Sequence, residues 1–204
     1  MKGSSDKPVM GKLRIAVFAS GAGSNAQRII DHFNSAEKGA KVDLVVSNNP
    51  AAGVLKIAEK ENIPFLVIDR KKFYEDGYAP ELKNYRIDFI VLAGFMWKVP
   101  EQLIMAFPDK IINIHPALLP KYGGKNMYGS FVHEAVLQAG ETESGITVHY
   151  VDEIYDNGKI IFQAKCKVEE NDTTVTLTEK IHALEHQHYP QVIEHILSGN
   201  YSPG

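Results

Sequence analysis

The stretch from Ile111 to Pro120, with the sequence IINIHPALLP, constrains the fold more than any other part of this chain. Its isoleucines are apolar and β-branched, which is typical of a strand buried in a parallel sheet. Asn113 and His115 interrupt this run at alternate positions, and alternate residues of a strand face the same side. Pro116 then ends the strand. The sequence therefore predicts an amide and an imidazole side by side at the carboxyl end of a buried strand, where open α/β sheets bind their ligands.

Short apolar strands alternate with amphipathic helices along the first half of the chain. Strands are predicted at 13–19, 42–47, 65–68, 89–92 and 111–115, and helices at 26–33, 53–61, 80–84 and 100–107. Residues 69–79 are predicted to form a loop with weak helical character. A long loop, a helix at 131–139, strands at 144–150 and 160–168, and a helix at 173–197 follow. The strand at 144–150 alternates apolar and polar residues, and is therefore predicted to be half exposed.

This order predicts an α/β fold: a Rossmann-like, open, mostly parallel twisted sheet with helices on both faces, plus a C-terminal β-hairpin and long helix. The chain of 204 residues is long enough for one such domain. Residues 1–11 are predicted to be a flexible leader, and residues 12–204 a single domain. Its N-terminal, phosphate-binding βαβ half extends to about residue 115, and its C-terminal half completes the active site.

Charge and cysteine content restrict the possible partners. The formal net charge of -3 does not indicate a surface for nucleic acid or an anionic membrane. The single cysteine, Cys166, excludes an intrachain disulfide and fits a reducing compartment. We therefore expect a cytoplasmic protein with small-molecule partners, no nucleic acid and no membrane, as a monomer or homodimer.

A glycine-rich loop, SGAGSN at residues 20–25, connects the first predicted strand to the first helix. It formally matches a dinucleotide-binding fingerprint, but the second strand ends without the acidic residue that binds the ribose. A nicotinamide-dependent oxidoreductase is therefore disfavoured. Gly23, Ser24 and Asn25 at a helix N-terminus suit a single phosphate group. The alternative is a tight turn with Ser24 or Asn25 as N-cap, which is compatible with phosphate binding.

The sequence HALEH at residues 182–186 matches the H-x-x-E-H pattern of inverted zinc peptidases. Zinc would need a third protein ligand, and no nearby residue supplies one convincingly. We favour an exposed helix face with Glu185 turned toward a ligand.

The acidic turn at residues 152–158 follows the strand that carries His149. If that strand neighbours the opening one, a carboxylate of Asp152, Glu153 or Asp156 can reach His115. Such a carboxylate would orient the imidazole and raise its pKa. The residues alone do not choose among the three.

The segment GFMWKV at residues 94–99 places large apolar groups directly after a buried strand. They serve equally well as core packing or as the wall of a pocket for a flat ring.

Five motifs, taken in order, resemble a known family. They are SGAGSN at 20–25, AGFM at 93–96, NIHPALLP at 113–120, GITVH at 145–149 and DNG at 156–158. Together they are similar to the phosphoribosylglycinamide formyltransferases, also called glycinamide ribonucleotide transformylases, of the folate-dependent formyltransferase superfamily. The resemblance covers essentially everything after the leader.

The resemblance implies roles for matching residues. It implies a catalytic set of Asn113, His115, Asp156 and the supporting His149, and so selects Asp156 within the acidic turn. It implies substrate binding by Gly23, Ser24, Asn25 and Glu185, and folate binding by Phe95, Met96, Trp97, Val99 and Ile154. No metal is implied.

The implied activity is transfer of a formyl group from the co-substrate 10-formyltetrahydrofolate to the amine of glycinamide ribonucleotide, in de novo purine biosynthesis. The alternative is formyl transfer to another amine, or formyltetrahydrofolate hydrolysis, on the same fold.

The sequence departs from the family pattern in two places. Family members often have Arg after the Phe-Met pair, where this chain has Trp97 and then Lys98. The loop at 121–129 also differs from the usual family forms.

Overall fold

The computed structural model describes residues 11–35 and 38–199. Apart from Gly11, the predicted leader lies outside these ranges. The elements in chain order are β1 (Leu13–Phe18), α1 (Ser24–Phe33), β2 (Ala40–Ser47), α2 (Gly53–Lys60), β3 (Phe65–Val67), α3 (Arg70–Asp76), α4 (Ala79–Asn84), β4 (Phe89–Leu92), α5 (Glu101–Ala106), β5 (Ile111–His115), α6 (Ser130–Gln138), β6 (Glu143–Tyr150), β7 (Ile160–Lys167) and α7 (Thr174–Leu197).

All seven strands form one sheet in the order β3-β2-β1-β4-β5-β6-β7. Strands β1 to β5 pair in parallel, whereas β6 runs antiparallel to β5 and β7 antiparallel to β6. The chain moves outward from β1 to β3 and then returns to the other side of β1 with β4. This reversal leaves a crevice at the carboxyl ends of β1 and β4. The predicted fold class and hairpin are confirmed.

Two apolar cores cover the two faces of the sheet, because side chains of each strand alternate between them. In β1, Ile15 and Val17 pack with residues of α1, α2, α6 and α7. Ala16 and Phe18 point the other way, into a core with residues of α3, α4 and α5. The predicted arrangement of helices on both faces is thus confirmed. Within the described ranges, no helix is both long and apolar enough to cross a membrane.

Helix α3 corrects the prediction of a loop at 69–79. The side chain of Asp69 accepts a hydrogen bond from the backbone N–H of Lys72, at 3.0 Å, and so caps the helix. Phe73 is fully buried, and Gly77, with φ of 66°, ends the helix. The many charged residues of this segment made a loop the expected structure. The Asp69 cap and the buried Phe73 side chain nevertheless stabilise a helix.

Strand β6 corrects a second prediction, because it is almost wholly buried rather than half exposed. It lies between β5 and β7, so both of its edges are paired. Its polar side chains have buried partners. The Thr147 hydroxyl donates to the Ala117 carbonyl at 2.7 Å and accepts from the Leu119 N–H at 3.0 Å. Polar alternation therefore marked internal hydrogen bonding here, not solvent exposure.

Helix α7 is attached to the centre of the sheet by Tyr189, which is fully buried. Its hydroxyl donates to the carbonyl oxygen of Leu92 at 2.9 Å and lies 3.5 Å from that of Ile112. Leu92 ends β4, and Ile112 directly precedes Asn113. This contact fixes α7 against the strand ends that border the crevice.

We predict that Tyr189→Phe lowers the free energy of unfolding by about 1–3 kcal/mol, because a buried carbonyl loses its donor. Urea denaturation measures this, with Tyr128→Phe, at a half-exposed ring, as the control. Equal stability of the two variants would contradict the assigned role of the Tyr189 hydroxyl.

Candidate active site

All the residues predicted for the site line one cleft, at the carboxyl ends of β1, β4 and β5. The glycine loop after β1 and the segment after β4 both line this cleft. Asn113 and His115 at the end of β5 lie in the same cleft, together with the turn between β6 and β7. The sheet topology alone brings these four segments together.

The pairing of β5 with β6 places Asn113 directly opposite His149. The Asn113 Nδ2 atom lies 3.3 Å from Nε2 of His149, and Nδ1 of that ring lies 2.8 Å from the Tyr150 carbonyl oxygen. A carbonyl can only accept, so Nδ1 of His149 carries a hydrogen and donates to Tyr150. The strand that leads into the acidic turn is therefore a neighbour of β5, which is the arrangement that lets a carboxylate of the turn reach His115.

Asp156 lies between two imidazoles. Its Oδ2 atom is 3.5 Å from Nδ1 of His115, and its Oδ1 atom is 3.6 Å from Nε2 of His149. The backbone N–H of Gly124 donates to Oδ2 at 2.9 Å. Asp152, by contrast, accepts hydrogen bonds from within its own turn. Of the acidic residues in the turn, Asp156 is the one placed to act on His115.

The electrostatics of this cluster correct the expected pKa of His115. Burial lowers that pKa and outweighs the opposing effects of the Asp156 charge and the Tyr122 carbonyl, so the net direction is downward. The charge of Asp156 raises the pKa of His115, as predicted, but its effect is smaller than that of burial. For Asp156 itself, burial raises the pKa, yet the contacts with His149, His115 and Gly124 together lower it. The lowered pKa of Asp156 favours its ionised form, beside an imidazole whose charged form burial disfavours.

The loop after Pro120 makes two contacts that the sequence did not predict. The Nε2 atom of His115 donates to the Tyr122 carbonyl at 2.8 Å, and the Gly124 N–H holds Asp156. A Cβ atom at Gly123 would lie 3.2 Å from Cβ of Asp156 and 2.5 Å from Cδ2 of Leu119, so a larger residue here would displace both side chains. Every residue type offers the same backbone groups, so the sequence could not predict these two contacts. Only the glycines at 123 and 124 indicated that the loop approaches Asp156 closely.

The glycine loop enters α1 through Gly23, which has φ of 86° and is the N-cap. The alternative with Ser24 or Asn25 as N-cap is therefore wrong, and α1 begins without a side-chain cap. The Asn25 amide instead donates to Oε2 of Glu185 at 2.8 Å. Burial raises the pKa of Glu185 despite this bond. This hydrogen bond connects the glycine loop to α7, and Glu185 lines the cleft.

The segment after β4 packs against the core and also lines the cleft. The ring of Phe95 packs edge-on against Phe18, with centroids 5.3 Å apart, and Trp97 lies 5.7 Å from Phe73. Both rings also line the cleft, beside Met96 and Ile154, which is 64% exposed. In a separate contact, the guanidinium of Arg70 in α3 lies 5.9 Å from the Trp97 ring centre.

The structure does not supply a third protein ligand for zinc beside His182 and His186 among the described residues. The rings of His182 and His186 stack with centroids 6.0 Å apart. In the described part of the chain, no three His, Cys, Asp or Glu side chains are grouped to hold a metal ion. Glu185 turns toward the Asn25 amide instead.

Comparison with known proteins assigns the family. A family model described as formyl transferase matches residues 13–193. The chain belongs to the formyl transferase family. It is 41% identical over 197 residues to the chloroplastic phosphoribosylglycinamide formyltransferase of Arabidopsis thaliana, covering 94% of this chain and 67% of that protein. It is 38% identical over 192 residues to the phosphoribosylglycinamide formyltransferase of Bacillus subtilis, covering 92% of this chain and 96% of that one.

Solved structures agree with this assignment. The crystal structure of glycinamide ribonucleotide transformylase 1 from Symbiobacterium toebii matches with a TM-score of 0.86 and 33% identity, over 96% of this chain and 94% of that one. The resemblance inferred from the motifs, to the phosphoribosylglycinamide branch of the formyl transferases, is confirmed.

We predict that stability falls as the pH drops below about 6.5, the ordinary pKa of histidine. Burial lowers the pKa of both His115 and His133, so the unfolded chain binds protons that the folded chain does not. Unfolding free energies measured from pH 8 to pH 5 should show a shallower slope in His133→Gln. An unchanged slope would contradict the buried, neutral state of that ring, and the exposed His195→Gln serves as control.

Proposed function

We propose that this formyl transferase moves the formyl group of 10-formyltetrahydrofolate to the amine of glycinamide ribonucleotide, in de novo purine biosynthesis. The observation that carries the proposal is the Asp156 carboxylate between His115 and His149, in a cleft that also holds Asn113. The family assignment and the names of the relatives support the same reaction.

The two ends of the cleft suit the two substrates. Backbone N–H groups of Gly23, Ser24 and Asn25, at the positive end of the α1 dipole, suit the phosphate of the nucleotide. Glu185, held by Asn25, is placed to accept hydrogen bonds from ribose hydroxyls. Phe95, Met96, Trp97, Val99 and Ile154 offer the apolar wall that a pterin ring needs. The amine and the formyl group would then meet near Asn113 and His115.

In the proposed reaction, the amine nitrogen forms a bond to the formyl carbon and produces a tetrahedral intermediate. The amide N–H of Asn113 stabilises the oxyanion where its charge develops. Collapse of the intermediate breaks the bond between the formyl carbon and the folate nitrogen. No covalent bond to the enzyme forms.

The proton lost by the amine must reach the folate nitrogen. We propose that neutral His115, basic but uncharged, accepts this proton, directly or through a water molecule. The imidazolium that results is stabilised by the ionised Asp156, 3.5 Å from its Nδ1 atom. Its positive charge then stabilises the oxyanion, and it returns the proton to the folate nitrogen.

The folate tail requires a cation, and the position after the Phe-Met pair carries Trp97 instead of arginine. We propose that Arg70, whose guanidinium lies 5.9 Å from the Trp97 ring centre, supplies this charge from α3. Lys98, over the ring of Tyr155, is a second cation at the same end of the cleft.

We further propose a single domain over residues 12–204, and a cytoplasmic monomer or homodimer with small-molecule partners only. The continuous sheet supports the first proposal, and the unpaired thiol of Cys166 supports the compartment.

We predict that the wild-type chain transfers formyl groups to glycinamide ribonucleotide, followed by the absorbance change of the folate product. Asp156→Asn should lower turnover roughly 10²–10⁴-fold, because the imidazolium loses its counter-charge. Asparagine accepts the left-handed conformation of Asp156, with φ of 53°, so the variant should fold.

Near-normal turnover of a folded Asp156→Asn variant would contradict the mechanism. Turnover with water or other amines but not with glycinamide ribonucleotide would favour the alternative hydrolase or transferase activity. Asp152→Asn, in the same turn, is the matched control.

A further inference from the structure

The short loop at residues 121–124 contacts both His115 and Asp156. The Tyr122 carbonyl accepts a hydrogen bond from Nε2 of His115 at 2.8 Å, and the Gly124 N–H donates to Oδ2 of Asp156 at 2.9 Å. A shift of this loop would therefore move a hydrogen bond of the imidazole and one of the carboxylate together. The contacts that hold the loop thus determine the geometry of the pair.

The segment just before this loop, residues 117–119, is fixed by the sheet. The hydroxyl of Thr147 in β6 bonds both the Ala117 carbonyl and the Leu119 N–H. The side-chain amide of Gln163 in β7 donates to the Leu119 carbonyl at 3.0 Å. These contacts end before the part of the chain that meets His115.

Glu141 holds the next part of the loop from outside the cleft. Its Oε1 atom accepts hydrogen bonds from the Tyr122 hydroxyl at 2.9 Å and from the Lys121 ammonium at 2.7 Å. These two bonds lower the pKa of the Glu141 carboxyl, with the Lys121 contact as the larger cause. Glu141 follows α6 directly after Gly140, which has φ of 66°, and its own N–H donates to the Val136 carbonyl at 3.3 Å. The acceptor is therefore itself fixed at a helix end.

Tyr122 needs such an anchor, because its backbone is left-handed, with φ of 57°. This conformation is uncommon for a residue with a side chain, and it persists where surrounding contacts hold it. The ring packs against the apolar core, but a cavity of about 330 Å³ lies behind the loop, lined by residues that include Leu118, Val136 and Glu141. Packing behind the loop is thus incomplete, and the hydrogen bond to Glu141 adds the direction that packing lacks.

The Tyr122 carbonyl decides which nitrogen of His115 can accept a proton. A carbonyl only accepts hydrogen bonds, so Nε2 of His115 carries a hydrogen. In the neutral ring the lone pair is then on Nδ1, because the bond made by one ring nitrogen sets the state of the other. Nδ1 is the atom that lies 3.5 Å from Oδ2 of Asp156. A proton taken up there forms the imidazolium directly beside its counter-charge.

We propose that Glu141 is a positioning residue: through the Tyr122 hydroxyl it holds the Tyr122 carbonyl on Nε2 of His115, and so keeps Nδ1 as the atom that accepts the proton. This inference rests on the proposed function and adds a residue from outside the cleft. The described residues that line the catalytic cleft include neither Glu141 nor Tyr122. Both therefore act through His115 and not on a substrate.

Nitrogen NMR of the His115 ring tests the proposal directly, in the wild type, Glu141→Ala and Tyr122→Phe. The wild type should carry its hydrogen on Nε2 when neutral, and both variants should show a mixture of the two neutral forms. The pKa of His115 should also fall in both variants, because the Tyr122 carbonyl raises it. The control is Glu143→Gln, an exposed carboxylate two residues further on that pairs with Lys165 instead.

Kinetics give a second readout. Glu141→Ala and Tyr122→Phe should each lower kcat roughly 10-fold, and at most about 100-fold, because a misplaced catalytic group slows the reaction. The KM of each substrate should change much less. Glu141→Gln keeps an oxygen that accepts from the Tyr122 hydroxyl, so it should retain most of kcat. Since both residues act through one bond, the double variant should be no slower than either single variant.

Several results would overturn the proposal. They are an unchanged His115 ring in both Glu141→Ala and Tyr122→Phe, additive losses of kcat in the double variant, or an equal effect in Glu143→Gln. A rise in KM with kcat unchanged would also reject it, since that pattern indicates a substrate contact. Absence of formyl transfer in the wild type would reject the proposed function, while the NMR measurements, which need no turnover, would still decide the role of Glu141.

Discussion

The contact of one buried carboxylate with two imidazoles is the interaction on which the site depends. Asp156 is held by the Gly124 N–H and lies within 3.6 Å of both rings. Without the carboxylate, the Tyr122 carbonyl alone would oppose the effect of burial on the pKa of His115, and an imidazolium at that depth would lack a counter-charge. The surrounding structure serves to hold this carboxylate: the left-handed backbone at 156, the absence of a side chain at Gly123, and the hairpin from β6 to β7.

The scaffold around this contact is built from long-range connections. Strand β6 runs antiparallel to β5 and so brings His149 opposite Asn113. Helix α7 is fixed to β4 by the Tyr189 hydroxyl and, one turn earlier, meets α1 through Glu185 and Asn25. The same helix therefore connects the glycine loop to the strand ends that border the cleft.

Much of this was predictable from the sequence, because the informative residues are local. Short apolar, β-branched runs identified the strands of the parallel sheet, the glycine loop identified the α1 entry, and Asn113 with His115 identified the strand end. Other features escaped prediction for physical reasons. The Tyr122 carbonyl and the Gly124 N–H are backbone groups, which every residue type supplies, so the sequence could not predict their contacts. The burial of β6 depends on partners from the loop after β5, and the pKa of His115 depends on a balance between burial and charge that spacing does not reveal. The choice of Asp156 over its neighbours came from the family resemblance, and its position between the two imidazoles agrees with that choice.

The most direct test of this account is the pKa of His115, measured by NMR titration of its imidazole in the wild type and in Asp156→Asn. We predict that the wild-type pKa lies below that of an ordinary exposed histidine, because burial dominates. Removing the Asp156 charge should lower it further, because that charge is the larger of the two effects that oppose burial. A His115 pKa that stays the same or rises in Asp156→Asn would contradict the claim that this carboxylate stabilises the imidazolium.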